Sequence, residues 1–269
     1  MQKEVKWIYL SIFYGSEERE KLIKELLFPF LILEKKARNN IDWIFFFNLI
    51  QGQNIRLAIR GEEEKLTVVL TEIHRLANNF FITSKVEQEQ NNYCGSEFFM
   101  NFRINSIHYN LFKVNFDSFD LNLCFLVSRA ILQVFSSEPY NDKNIFSFLL
   151  YCYMAMAVVW HNVGFELSRS MHEEIDKTVL LGYPTLEELF NKNIELFQSV
   201  FLDILNDRVD GESSFDLLGF KEGFSELIII KRASNSIVLP NHVLHLLNAN
   251  PNLLRVIEYI IERCFEMIN

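Results

Sequence analysis

Hydrophobic and polar positions divide this chain into a strand-rich beginning and a helix-rich remainder. Residues 5–14 (VKWIYLSIFY) are dense in β-branched and aromatic types, which predicts a strand ended by Gly15. Ser16 is placed to cap a helix with Glu17 and Glu18 in its first turn, and Leu22, Ile23, Leu26, Leu27 and Phe30 recur at helical spacing. Pro29 lies inside that pattern and is expected to kink or end the helix. After a turn at Asn39-Asn40, Trp43 to Leu49 predicts a buried strand, Gln51-Gly52-Gln53 a turn, and Asn54 to Ile59 a second strand. A helix is expected to open at Gly61 with Glu62, Glu63 and Glu64 at its N-terminal end, burying Leu66, Val69, Leu70, Ile73 and Leu76.

The first 80 residues thus read β-α-β-β-α, which implies a sheet covered by helices on one side. One or two further strands are expected over 98–115, around Asn105-Ser106. Beyond them, Phe119–Phe135, Ile145–Trp160 and Leu186–Leu205 carry helical periodicity. Leu227 to Ile230 resembles a strand, and helices around His242–Leu247 and Leu253–Ile268 close the chain. The fold class expected is α+β, in one domain over 1–269 with a sheet-rich half (1–115) and a helix-rich half (116–269).

Composition agrees with an ordered core. Of 269 residues 49% are hydrophobic, 26 are Phe, and only 9 Gly and 5 Pro are present, which leaves little room for flexible linkers. The net charge of −9 and the absence of a basic stripe argue against a nucleic-acid partner. The short basic stretch Glu34-Lys-Lys-Ala-Arg38 reads as the last turn of a helix. The N-terminus does not read as a secretory signal, and Ile145–Trp160 falls short of the roughly 20 apolar residues of a bilayer span, so a buried core helix and a cytoplasmic location are expected. Cys94, Cys124, Cys152 and Cys264 are widely separated and signal neither a zinc site nor a disulfide framework.

Nucleotide, zinc-protease and serine-hydrolase motifs are absent, so no metal or organic cofactor is implied. Six histidines remain as acid–base candidates: His74, His108, His161, His172, His242 and His245. A core, turn or helix-end role accounts for most of them.

Three segments carry a resemblance. Residues 43–60 (WIFFFNLIQGQNIRLAIR) resemble the hallmark of the lantibiotic dehydratase C-terminal domain family, an aromatic strand W-F-F-I-R-Y, a D-P-G-P turn and a second strand H-L-R-L-R. Lys6 to Gly15 resembles that family's opening strand, and Leu244-His245-Leu-Leu-Asn248 its L-H-M-x-x-N-R-L segment. The departures are specific: the family's strand arginine falls at Phe47, its turn aspartate at Ile50, the histidine at Asn54, the second arginine at Ala58, and the arginine after Asn248 at Ala249.

The resemblance implies two chemistries. Members with the full arginine set eliminate glutamate from glutamylated Ser or Thr, which requires a cationic clamp for the departing carboxylate and a base for the α-proton. Standalone members, the pyridine synthases of thiopeptide biosynthesis, join two dehydroalanines of a thiazole-bearing peptide by a formal [4+2] cycloaddition, then expel water and the leader peptide. With only Arg56 and His245 persisting and Arg60 out of register, the second chemistry is the better match, because it depends on positioning and weak acid–base groups.

The partners implied are a ribosomally made precursor peptide, leader plus dehydrated, azole-containing core, and other biosynthetic enzymes. On this reading His245 exchanges protons and Arg56 orients substrate, with Asn248 beside them. Tyr151, Tyr153, Trp160 and His161 offer a pocket wall, and Ser168 or Ser170 a further hydroxyl. A non-catalytic scaffold that binds the leader along a sheet edge is the alternative from a different class.

Overall fold

The computed structural model describes residues 4–31, 41–49, 52–83, 102–115, 118–164, 166–167, 183–208, 215–230, 236–237 and 241–268. Four strands, β1 (Val5–Phe13), β2 (Asp42–Asn48), β3 (Asn54–Glu62) and β4 (Ser106–Tyr109), form one antiparallel sheet in the order β2-β3-β1-β4. Side chains alternate between faces, so register alone sorts them. Leu10, Leu57 and Phe45 align on one face with Ile12, Ile55 and Phe47, and none of the six is more than 4% exposed. Ser11, Arg56 and Phe46 align on the other.

The apolar face is the one that helices cover. The helix α2 (Glu63–Thr83) buries Leu66, Val69, Ile73, Ala77 and Phe80 and packs on β3 and β1. His74 of α2 bonds the hydroxyl of Tyr109, which shares this face with Leu10. The result is the α+β arrangement read from the sequence.

Two local expectations are corrected in this region. The strand β3 runs past Gly61, which pairs with Lys6, while Glu62 pairs with Val5, and the helix starts only at Glu63. Backbone pairing with the start of β1 outweighs the helix preference of the glutamate run, and the Lys6–Glu63 ion pair (2.7 Å) fastens the junction. The first helix, α1, does not end at Pro29. It opens as a 3-10 turn (Ser16–Glu18), passes through one α turn (Arg19–Lys21), widens to a π-helix (Leu22–Leu27) and returns to α over 28–31. The Phe28 amide reaches back to the Ile23 carbonyl, so the ladder is already widened where Pro29 has no donor to give.

The chain divides into two compact units. One holds Met1–Asp117, Ile131–Tyr140 and Leu246–Asn248; the other holds Ser118–Ala130, Asn141–His245 and Ala249–Asn269. The boundary near residue 115 expected from composition takes no account of Ile131–Tyr140 and Leu246–Asn248, which group with the sheet.

In the second unit the helix α4 (Asp142–Asn162), which follows α3 (Ser118–Phe135), lies at the centre. Asn141 caps it, its side-chain oxygen accepting from the Asn144 amide at 2.9 Å. Every residue from Cys152 to Trp160 is buried. By length and composition α4 could cross a membrane, but its apolar surface is occupied by α6 (Ile194–Leu205), α7 (Leu217–Ile230) and α9 (Asn252–Ile268). Burial pushes the Cys124 and Cys264 thiols up to about 12, which keeps them protonated and unreactive.

Two more expectations change here. The single helix expected over Leu186–Leu205 is broken into α5 (Leu186–Lys192) and α6, because the Asn193 side-chain Nδ2 donates to the Leu189 carbonyl (2.8 Å) and to the Tyr183 hydroxyl (3.1 Å). The strand-like Leu227 to Ile230 is the end of α7, since Leu217, Phe220, Phe224 and Ile228 bury at helical spacing and packing overrides β propensity. The short strands β5 (Glu166–Leu167) and β6 (Ser236–Ile237) pair in parallel, and α8 (His242–Leu247) precedes α9.

Lys221 illustrates what holds this unit. It is buried, and its ammonium donates to the Ile204 carbonyl (2.7 Å) at the end of α6 and to Asp207. Lys221→Ala is expected to destabilise the protein by about 2 kcal/mol, most of it from the stranded carbonyl, because Asp207 is solvent-exposed and its pairing is screened. Urea unfolding of the full chain checks this, and an unchanged midpoint would refute it.

Candidate functional site on the polar face of the sheet

The face of the sheet opposite α2 carries one continuous row of chemistry. In register across four strands lie His108 on β4, Ser11 on β1, Arg56 on β3 and Phe46 on β2. Directly opposed residues on one face have Cβ atoms about 5 Å apart, so neighbouring members of the row can act on one ligand group. Aromatic side chains wall it. Phe112 stands edge-on to Tyr9 (5.3 Å, 72°) and to Phe46 (5.6 Å, 72°), and the Arg56 guanidinium lies 5.2 Å from its ring centroid. Phe102 lies against His108 (4.1 Å) and Phe13 (4.9 Å).

Two donors in the row lack hydrogen-bond partners among the described residues. The Ser11 hydroxyl is fully buried and unpartnered, and so is the Nε–H of Arg56. Buried groups left unpaired are rare in native proteins and costly, so a pair of them side by side needs an explanation. Burial lowers the pKa of the Arg56 guanidinium below its ordinary value. His108 Nε2 lies 3.0 Å from the Ser106 hydroxyl, which itself donates to the Arg103 carbonyl. Donors for an oxygen, an imidazole and ring-shaped apolar walls suit an amide- and ring-bearing ligand.

The residues singled out from the sequence distribute as follows. Arg56 is in the row. His245 is exposed on α8, and Asn248 is exposed with φ +50°, the left-handed residue that ends α8 as the Ala249 amide closes on the Leu244 carbonyl (3.0 Å). On α4 Tyr151 is half-buried against Phe215 (6.4 Å), while Trp160 is buried edge-on to Phe224 (5.0 Å). Tyr153 is fully enclosed, and burial holds its phenol well above its ordinary pKa. His161 is exposed beside Phe265 (4.9 Å). Ser168 and Ser170 lie outside the described residues.

Comparison with known proteins places the chain. The sequence pattern described as "Lantibiotic biosynthesis dehydratase C-term" matches residues 7–175, well over half of its length. The chain belongs to this lantibiotic dehydratase C-terminal family. No curated protein sequence matches it. Among solved structures it is similar to the pyridine synthase TbtD from thiomuracin biosynthesis, with 9% identity, a TM-score of 0.60 and 98% of each chain covered. It is also similar to the tRNA-dependent lantibiotic dehydratase MibB from Microbispora sp. 107891, with 11% identity and a TM-score of 0.51, over 96% of this chain but only 25% of that one.

Within the family frame, the departures noted in the sequence become physical. Phe47 is buried against the Tyr140 ring (3.9 Å); Asn54 is buried, donating to the Gly52 carbonyl (2.7 Å); Ala58 is buried between Tyr9 and Ile44 in register. A cation does stand near the Phe47 position, supplied by another element. The Arg19 guanidinium lies 4.6 Å from the Tyr140 ring centroid and donates to the Tyr14 hydroxyl (3.2 Å).

The sequence reading passed over Ser11, Phe112 and Arg19, and named His108 only as one of six candidate histidines. The one signal for Ser11 was a lone hydroxyl inside an otherwise apolar and aromatic strand.

Proposed function

We propose that this protein is a thiopeptide tailoring enzyme, a pyridine synthase that acts in the cytoplasm on a ribosomally made, dehydrated, azole-containing precursor peptide. Family membership and the likeness to biosynthetic enzymes support the tailoring role. The observation that carries the finer reading is the composition of the polar row. It holds one cation, Arg56, with Ala58 and Asn54 where a glutamate-eliminating relative has an arginine and a histidine, and its walls are aromatic. An elimination that must hold a departing carboxylate lacks its clamp here.

The chemistry asks little of side chains beyond position. Folding the peptide so that two dehydroalanines meet supplies a high effective molarity. Transfer of a proton from the amide nitrogen to its oxygen gives the iminol form that completes the four-atom component. Two carbon–carbon bonds then close the ring, and aromatisation expels water and the leader as its amide. In this reading Arg56 orients the substrate carbonyl, and a weak acid–base group exchanges protons during aromatisation.

Mass spectrometry after incubation with a dehydrated, thiazole-containing precursor that keeps its leader tests this. The expected result is a released leader and a macrocyclic core lighter by one water. An unchanged peptide that co-purifies with the protein would replace the reading with a leader-binding scaffold, and loss of glutamate from a glutamylated precursor would replace it with elimination.

A further inference from the structure

Two neighbouring donors, buried and unpaired, sit beside a ring that three side chains enclose. The Ser11 hydroxyl and Arg56 Nε–H come from β1 and β3 at paired positions, and both lack acceptors among the described residues. The Phe112 ring is held by the edges of Tyr9 and Phe46 and by the Arg56 guanidinium, at 5.2 to 5.6 Å between centres. A phenylalanine offers π-face and edge but no acceptor. It fills the ring-shaped space and leaves both donors unsatisfied.

We propose that this space is a seat for an aromatic ring of the substrate that bears an acceptor, an azole with its attached carbonyl, and that Phe112 fills the seat in the ligand-free protein. The inference rests on the precursor-peptide reading above and names the part of the peptide that the sheet face holds. The carbonyl oxygen accepts from Ser11 Oγ–H and Arg56 Nε–H, and the azole takes the place of the Phe112 ring between Tyr9 and Phe46. Ser11 and Arg56 are thus direct substrate contacts, and Phe112 is a competitor that substrate displaces. The unpaired hydroxyl is tolerated without ligand because ligand binding satisfies it.

The test uses the full-length protein and 2-methylthiazole-4-carboxamide, with 2,4-dimethylthiazole as the ring without a carbonyl, titrated by ligand-observed NMR. The carboxamide is expected to bind the wild type at least tenfold more tightly than the dimethyl compound. Ser11→Ala is expected to weaken carboxamide binding about tenfold, the worth of one buried hydrogen bond. The same substitution is expected to raise the thermal midpoint by about 2–4 °C, because it deletes an unsatisfied hydroxyl. That opposition between stability and binding is what a structural serine would not give.

Phe112→Ala is expected to tighten carboxamide binding several-fold by vacating the seat. Equal binding of the two thiazoles, unchanged binding to Ser11→Ala, or a lowered midpoint in Ser11→Ala would each overturn the proposal. Carboxamide binding that needs Ser11 and Arg56, in a protein that leaves the dehydrated precursor unjoined, would overturn the cycloaddition and leave the seat standing. Pyridine formation undiminished in Ser11→Ala would overturn the seat alone.

Discussion

Arg56→Met is expected to lower the rate of pyridine formation at least a hundredfold while leaving the protein folded. The rate estimate follows from the typical cost, about 10²–10³ in kcat, of removing one preorganised donor from the position where charge develops. The fold survives because Met keeps the length and apolar character of the arginine stem, and because the cation it removes was partly desolvated and left one donor unpaired. Single-turnover mass spectrometry and a thermal melt, run on the same preparation, separate the two effects. A rate within threefold of wild type would remove Arg56 from the chemistry. Arg56→Lys should recover only part of the rate, since an ammonium keeps the charge but not the fixed Nε–H geometry.

Phe45→Ala is expected to cost about 3–5 kcal/mol, the range for emptying a fully packed aromatic site. Phe45 has no exposed surface, stands edge-on to Phe47 (4.9 Å, 89°), and aligns with Leu57 and Leu10 at the centre of the apolar face. Neither strand can move inward to fill the space without breaking register, so most of the cavity would persist. Denaturant unfolding followed by the fluorescence of Trp43 on the same strand measures this. A loss below about 1 kcal/mol would mean that the sheet's core lies elsewhere. Set against Lys221→Ala, the comparison ranks apolar packing above a buried polar tie.

Much of the architecture was legible because local periodicity and burial agree. Residues 5–14 and 54–59 read as strands and form β1 and most of β3, and the uncharged run 145–160 reads as a core helix and forms the buried body of α4. The failures share a cause. Gly61-Glu62 reads as a helix start and Leu227 to Ile230 as a strand, yet the first is claimed by pairing with β1 and the second by helical burial in the second unit. Asn193 breaks a helix through a side-chain bond to Leu189 that no periodicity signals.

The candidate site was legible only in part. Arg56 stood out because the second strand resembles its family counterpart, while Ser11 and His108 carry no motif. What marks them is a row formed by four strands whose members lie up to 97 positions apart in the chain, from Ser11 to His108.

The sequence by itself determined the class of fold, the composition of its core, the family and the scarcity of cations in its signature strands, because these follow from short-range periodicity and residue type. Tertiary structure alone decided which face of the sheet is polar, which donors on it go unsatisfied, and that the Arg56 guanidinium meets the Phe112 ring. Those properties belong to register and packing between distant segments. A single strand can state that its side chains alternate, but only its neighbours decide what each alternate side chain meets.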